Sequence, residues 1–251
     1  SPSDAALLSS PNNTLGIEYG RALLRVGAAP ALFTIPRTGA AHDAAPENAG
    51  GYSASAIRHL LAEGRRADAL SRMVPAMRTV YEVEEAAGRA PVFAAACGRA
   101  ILARLRSMTP AEFDALDTGH EGVGQRLYNA SRNAATLDAV LDNAKTKRYA
   151  YARLRRMVLW AYLGLSPAEL PASVPYLRVL AANETGRALL GRMRKTARFP
   201  VITKPAAIRS LSPDAQRLFE TESRAADLYA LAYPELTEAC GSLWRQNPVM
   251  P

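Results

Sequence analysis

Cysteine, histidine and lysine are all scarce in this chain of 251 residues. The two cysteines, Cys97 and Cys240, stand far apart, which excludes a disulfide scaffold. Neither has a histidine nearby, so no metal site is expected. The three histidines, His42, His59 and His120, are scattered and form no H-x-x-H or H-x-G-H pair. No run of about 18 apolar residues is present, so no membrane span is read. Ser1-Pro2-Ser3-Asp4 lacks the charged and apolar regions of a secretory leader. The expected compartment is reduced and cytoplasmic. A serine at position 1, with Pro-Asn-Asn close behind, suggests a processed or truncated start. No G-x-x-x-x-G-K-[ST] phosphate loop occurs.

What the chain does have is arginine. Of 31 basic residues 27 are Arg, against 23 acidic residues, for a net charge of +8. The excess is local. Residues 1–58 and 59–140 are each neutral, whereas residues 141–204 hold 13 basic and 3 acidic side chains, a net of +10. Clustered charge adds its field at one surface and favours an anionic partner. A solvated basic face is the plain alternative.

The first 65 residues read as α/β. Leu15, Tyr19, Ala22, Leu23 and Val26 recur at helical spacing over residues 15–28. Residues 31–36 form a short apolar run between Pro30 and Pro36, which reads as a buried strand. A loop with Gly39, Pro46, Gly50 and Gly51 follows. Ser53 or Ser55 can then cap a helix through Ile57, Leu60 and Leu61. From residue 66 onward no strand is evident. Helical segments dominate, at about 91–106, 110–117, 121–143, 146–164, 186–197 and 213–232. Thr109-Pro110 and Ser212-Pro213 each read as an N-cap followed by Pro at the first helical position. The expected architecture is mainly α. Residues 1–65 are the C-terminal remnant of a Rossmann-like α/β domain, and residues 66–251 form an all-helical, basic domain.

Two segments carry the charge. Residues 145–156, KTKRYAYARLRR, hold six basic side chains and no acid. On a single helix Lys145, Arg148, Arg155 and Arg156 fall within one arc, with Leu154, Met157, Val158, Ala161 and Leu165 opposite. Tyr149 and Tyr151 flank that arc, where each could stack on a base or simply pack. The second segment adds Arg187, Arg192, Arg194, Lys195, Arg198 and Lys204, with no acid between Thr185 and Lys204. Arg forks suit phosphate oxygens.

Ser53-Ala-Ser-Ala-Ile-Arg58 sets two hydroxyls and an Arg around a helix start, a place suited to phosphate. It resembles the Ser-Ser-Thr-x-Ile-Arg motif of HIGH-type nucleotidyltransferases. Further segments occur in register: SPNNTLGIEY at 10–19, IPRTGAAHD at 35–43, EGVGQRL at 121–127, KTKRY at 145–149 with ARL at 152–154, and YLRVL at 176–180. Together they resemble the bacterial tRNA(Met) cytidine acetate ligase family. That resemblance implies an enzyme that makes acetyl-adenylate from ATP, with its magnesium, and acetate. The acetyl group then passes to N4 of the wobble cytidine of elongator tRNA(Met). It implies ATP contacts at Asn12, Arg37, Ser53, Ser55 and Arg58. It also implies tRNA contacts in the basic part, for which Lys145, Lys147, Arg148, Arg153, Arg155, Arg156, Arg194 and Lys195 are the candidates. The family's paired-His loop has no counterpart here, so a missing N-terminal segment of the same protein, and inactivity of this chain alone, are expected. Two alternatives stand beside this: a non-catalytic helical tRNA-binding module on a remnant nucleotide fold, and a nucleotidyltransferase acting on a small metabolite.

Overall fold

The computed structural model describes Leu8 and residues 11–35, 53–117, 121–236 and 239–250. The chain divides into two compact units, Ser1–Ile57 and Arg58–Pro251.

In the first unit, helix α1 spans Pro11–Val26. It stops where Gly27 turns to φ +66° and the Ala28 N–H bonds back to the Leu23 carbonyl at 3.0 Å. Asn12 lies in the first turn of this helix, and its side chain is exposed. Residues 31–35 are not a buried strand. They are irregular, and Phe33 and Ile35 are 90% and 92% exposed. A strand needs a hydrogen-bonded neighbour, and no described residue pairs with this run. Helix α2, Ala54–Ala62, carries the Ser motif and continues across the unit boundary.

The second unit is mostly helical. Short helices α3 (Arg66–Ser71) and α4 (Pro75–Ala86) lead into α5 (Gly98–Ser107) and α6 (Pro110–Asp114). Then come α7 (Val123–Arg132), α8 (Leu137–Ala144) and α9 (Tyr151–Leu163). The cap expected at Thr109 is a full capping box: its hydroxyl accepts from the Glu112 N–H, and Glu112 reaches back to the Thr109 N–H at 2.8 Å. The single helix expected over 121–143 is two, because Thr136 caps α8 by accepting from the Ala139 N–H. α6 and α7 pack so closely that Gly124 is required. A Cβ there would lie 2.8 Å from the Phe113 carbonyl oxygen and against the Asp114 carboxylate.

The main core gathers Leu105, Phe113, Leu127, Val140, Leu154 and Met157, all essentially buried. At about 1.5–3 kcal/mol for each large apolar side chain, this cluster is the chief stabiliser of α5–α9. A smaller core joins Tyr176, Ile202, Ile208, Phe219 and Leu243, with Phe219 and Trp244 edge to face at 4.6 Å.

That smaller core contains an element the sequence did not reveal. Strands β1 (Leu177–Arg178) and β2 (Val201–Ile202) pair in parallel, joined through helix α10 (Glu184–Thr196). The part after residue 66 is therefore mainly, but not wholly, helical. Helices α11 (Pro213–Ala230) and α12 (Ser242–Arg245) complete the chain. Ser212 caps α11 as expected, accepting from the Ala215 N–H. Among the described residues no helix is long and apolar enough to cross a membrane.

Candidate nucleic-acid interface and nucleotide-binding helix

The expected basic helix is shortened at its start. α8 ends at Ala144, and Lys145–Ala150 form a turn before α9 starts at Tyr151. The cause is Thr146. Its hydroxyl accepts from the N–H groups of Arg148 at 3.2 Å and Tyr149 at 3.1 Å, giving the backbone an alternative to helical bonding. Lys145, Lys147 and Arg148 thus stand on the turn, while Arg153, Arg155 and Arg156 stand on α9. The apolar stripe holds: Leu154, Met157, Val158 and Ala161 are buried, and Leu165 is half-buried. α9 closes at Gly164, whose φ of +65° lets the Leu165 N–H reach the Trp160 carbonyl at 2.9 Å.

Tyr149 packs inward. It is 6% exposed, and its hydroxyl donates to the Glu121 carbonyl. The guanidinium groups of Arg148 and Arg153 lie 5.6 and 5.7 Å from its ring centre. Tyr151 is held similarly by Arg155 at 5.3 Å and Lys145 at 5.8 Å. Such cation–π contacts fix long side chains that would otherwise sweep freely.

Arg153 is engaged inside the protein. Its Nη2 donates to Asp117 Oδ2 at 2.7 Å, its Nε to Asp117 Oδ1 at 3.2 Å, and its Nη1 to Glu121 Oε2 at 3.0 Å. The hydrogen bonds from Asp117 and then Glu121 hold its pKa above the ordinary arginine value. It acts as a strut tying α9 to the segment before α7. Arg148 is mostly exposed and 3.9 Å from Glu121. Lys145, Lys147, Arg155 and Arg156 are exposed, with no carboxylate within 4.0 Å among the described residues.

α10 carries the second block. It has no buried residue. Leu189, Leu190 and Met193 share one side, and the cations occupy the rest of the wheel. Arg187 pairs with Glu184 at 4.0 Å. Arg192, Arg194 and Lys195 are exposed and have no acidic partner among the described residues.

In the nucleotide motif, Ser53 caps α2, accepting from the Ala56 N–H at 3.1 Å. Ser55 is half-buried in the first turn, and Arg58 is exposed. Ser53 Oγ still has its proton to donate, and Ser55 and Arg58 are spaced i, i+3 on the helix. A helix start with hydroxyls and a guanidinium fits a phosphate group. Arg37, His42 and His120 lie outside the described residues. His59 faces Glu63, Nε2 to Oε1 at 3.0 Å.

Composition and spacing missed three residues that brace this surface. Asp117 and Glu121 lie 36 and 32 residues from the arginine they hold. Arg126 donates to the carbonyls of Ala144 at 2.7 Å and Asn143 at 3.0 Å, closing the end of α8. Glu121 and Arg126 both fall in the EGVGQRL segment, which was the only available signal.

The chain belongs to the HIGH nucleotidyl transferase family, whose model matches residues 1–242. Within that class it is similar to tRNA(Met) cytidine acetate ligases. It is 31% identical to that of Acetivibrio thermocellus over 97% of this chain and 61% of the relative. It is 32% identical to that of Alkaliphilus metalliredigens over 90% and 55%. The fold matches the crystal structure of apo Thermotoga maritima TmcAL with a TM-score of 0.87 at 24% identity, covering 97% of this chain and 61% of that one. It also matches TmcAL bound with alpha-thio ATP, at a TM-score of 0.85 over 97% and 60%. The chain thus spans about three fifths of the length of these relatives.

Proposed function

We propose that this chain is the nucleotide- and tRNA-handling part of an ATP-dependent tRNA cytidine acetyl-ligase. In the full reaction acetate attacks the α-phosphate of ATP, giving acetyl-adenylate and releasing pyrophosphate. The acetyl group then moves to N4 of the wobble cytidine of elongator tRNA(Met), with loss of AMP. Residues 1–65 would contribute the later part of a Rossmann-like nucleotide domain. Residues 66–251 would form the tRNA-binding domain, in the cytoplasm.

The observation that carries this reading is the set of exposed cations on the 145–150 turn, α9 and α10, of which only Arg148 and Arg187 face a carboxylate among the described residues, in a chain of this family. Lys145, Lys147, Arg148, Arg155, Arg156, Arg194 and Lys195 would contact phosphates. Arg153 would position that surface through Asp117 and Glu121. At α2, Ser53, Ser55 and Arg58 would take ATP phosphates, with Asn12 and Arg37 as further ATP contacts. Magnesium would arrive on those phosphates. The nucleotide supplies the activating leaving group, and the chain's own residues orient it and neutralise its charge.

The second reading is a helical tRNA-binding module without adenylation. It is favoured by residues 31–35, which are irregular and exposed where a nucleotide fold would have a strand. Calorimetric titration with ATP separates the two. The ligase reading expects saturable ATP binding that Arg37→Ala weakens at least about tenfold, by removal of a charged hydrogen bond. Absence of ATP binding would leave the module reading alone.

A further inference from the structure

The cleft between α7 and α8 adjoins the basic 145–150 turn, yet its lining holds a single charged side chain. It is open, about 560 Å³ in volume, and lined by Gln125 and Asn129 of α7, by Asn133 just past its end, by Asn143 of α8 and by the buried Tyr149. None of the described lining residues is a carboxylate. The one cation, Arg126, already donates through Nε and Nη2 to the carbonyls that end α8. It therefore braces the two walls with two of its three guanidinium nitrogens.

Gln125, Asn129 and Asn133 recur every four residues, so their amides follow one side of α7 to its end. The Gln125 amide donates to Asn129 Oδ1 at 3.1 Å, and the Asn133 amide donates to the Asn129 main-chain oxygen at 3.0 Å. These bonds order the row and leave part of its capacity open, since each amide offers two N–H donors and an oxygen with two lone pairs. The turn that links Asn143 to Tyr149 carries Lys145, Lys147 and Arg148, so cations border the cleft.

A phosphate is best held by uncommitted cations, whereas here four amides outnumber the one guanidinium, which is largely engaged by main-chain carbonyls. The edge of an unpaired base is neutral and alternates donors with acceptors, which is what Asn and Gln amides match. From this we infer that the cleft reads a nucleobase of single-stranded RNA while the bordering cations hold its backbone. The inference rests on the RNA-binding reading above and adds a base-selecting site to it.

Fluorescence anisotropy of the full chain with 12-nucleotide homopolymers of A, C and U tests this, because the three probes carry the same number of phosphates. The wild type should prefer one of the bases by about tenfold, as expected for a well-formed amide–base contact. Asn129→Ala and, separately, Gln125→Ala should shrink that preference to about twofold and leave the salt dependence unchanged. Both residues are exposed, and equal thermal stability of the variants would exclude a folding defect. Equal affinity of the wild type for all three probes, or an unchanged preference in both variants, would overturn the base-reading site alone. A wild type that binds none of the probes would overturn the RNA reading as well.

Discussion

Arg153 separates a structural cation from those proposed to contact RNA, and its replacement gives opposite results in two assays. Its side chain is 23% exposed and holds Asp117, at 12%, and Glu121, at 41%. Arg153→Ala would leave Asp117 shielded and short of its main partner. Breaking a fully buried pair costs about 3–5 kcal/mol, and an exposed one under about 1 kcal/mol. With Asp117 near the first limit and Glu121 near the second, and solvent screening taken into account, the loss should be about 2 kcal/mol. For a protein of this size that lowers Tm by roughly 4–8 °C. Arg153→Lys should recover only part of it, because an ammonium cannot fork to both carboxylates. Differential scanning calorimetry gives the Tm, and an electrophoretic shift with tRNA, run well below it, gives the salt slope. The slope should match the wild type. An unchanged Tm together with a slope reduced by about one would refute the strut and make Arg153 a phosphate contact.

Acid should weaken the fold in a defined window. Glu112 is held below the ordinary 4.5 by the Thr109 N–H and hydroxyl, Glu84 by Arg89 and Glu85 by Arg66. Carboxylates with depressed pKa lend stability that is complete above about pH 5 and is lost as pH falls through their folded values. A Tm series from pH 6 to 3 should show that loss, and Glu112→Gln should flatten it. Thiol titration should find one fast-reacting cysteine, the exposed Cys240, and one slow, the buried Cys97. Rapid reaction of both would mean that the α5–α9 core opens readily.

Much of this fold could be read locally. The caps at Thr109 and Ser212, each with Pro next, follow from side-chain chemistry within four residues. The buried stripe of Leu154, Met157, Val158 and Ala161 follows from helical period. Features set by contacts distant in sequence could not be read. β1 and β2 have two residues each, too few to show a period, and their pairing spans 24 positions, Leu177 to Val201. Thr146 delays the start of the basic helix through its hydroxyl, which charge counting ignores. In the candidate site the cations themselves were legible. The commitment of Arg153 to Asp117, and of Arg126 to the end of α8, was not, because charge alone does not say which cations have partners.

The central claim is that the cations of the 145–150 turn, α9 and α10 hold RNA phosphates. The most direct measurement is the affinity for tRNA against salt concentration, for the wild type and for the combined variant Arg155→Ala, Arg156→Ala, Arg194→Ala, Lys195→Ala. On a logarithmic plot the wild type should fall with a slope of about −5 to −6, and the variant should lose about 3 to 4 of that, roughly 0.7–0.9 for each of the four phosphate contacts removed. Salt-insensitive binding, or the same slope in both proteins, would contradict it.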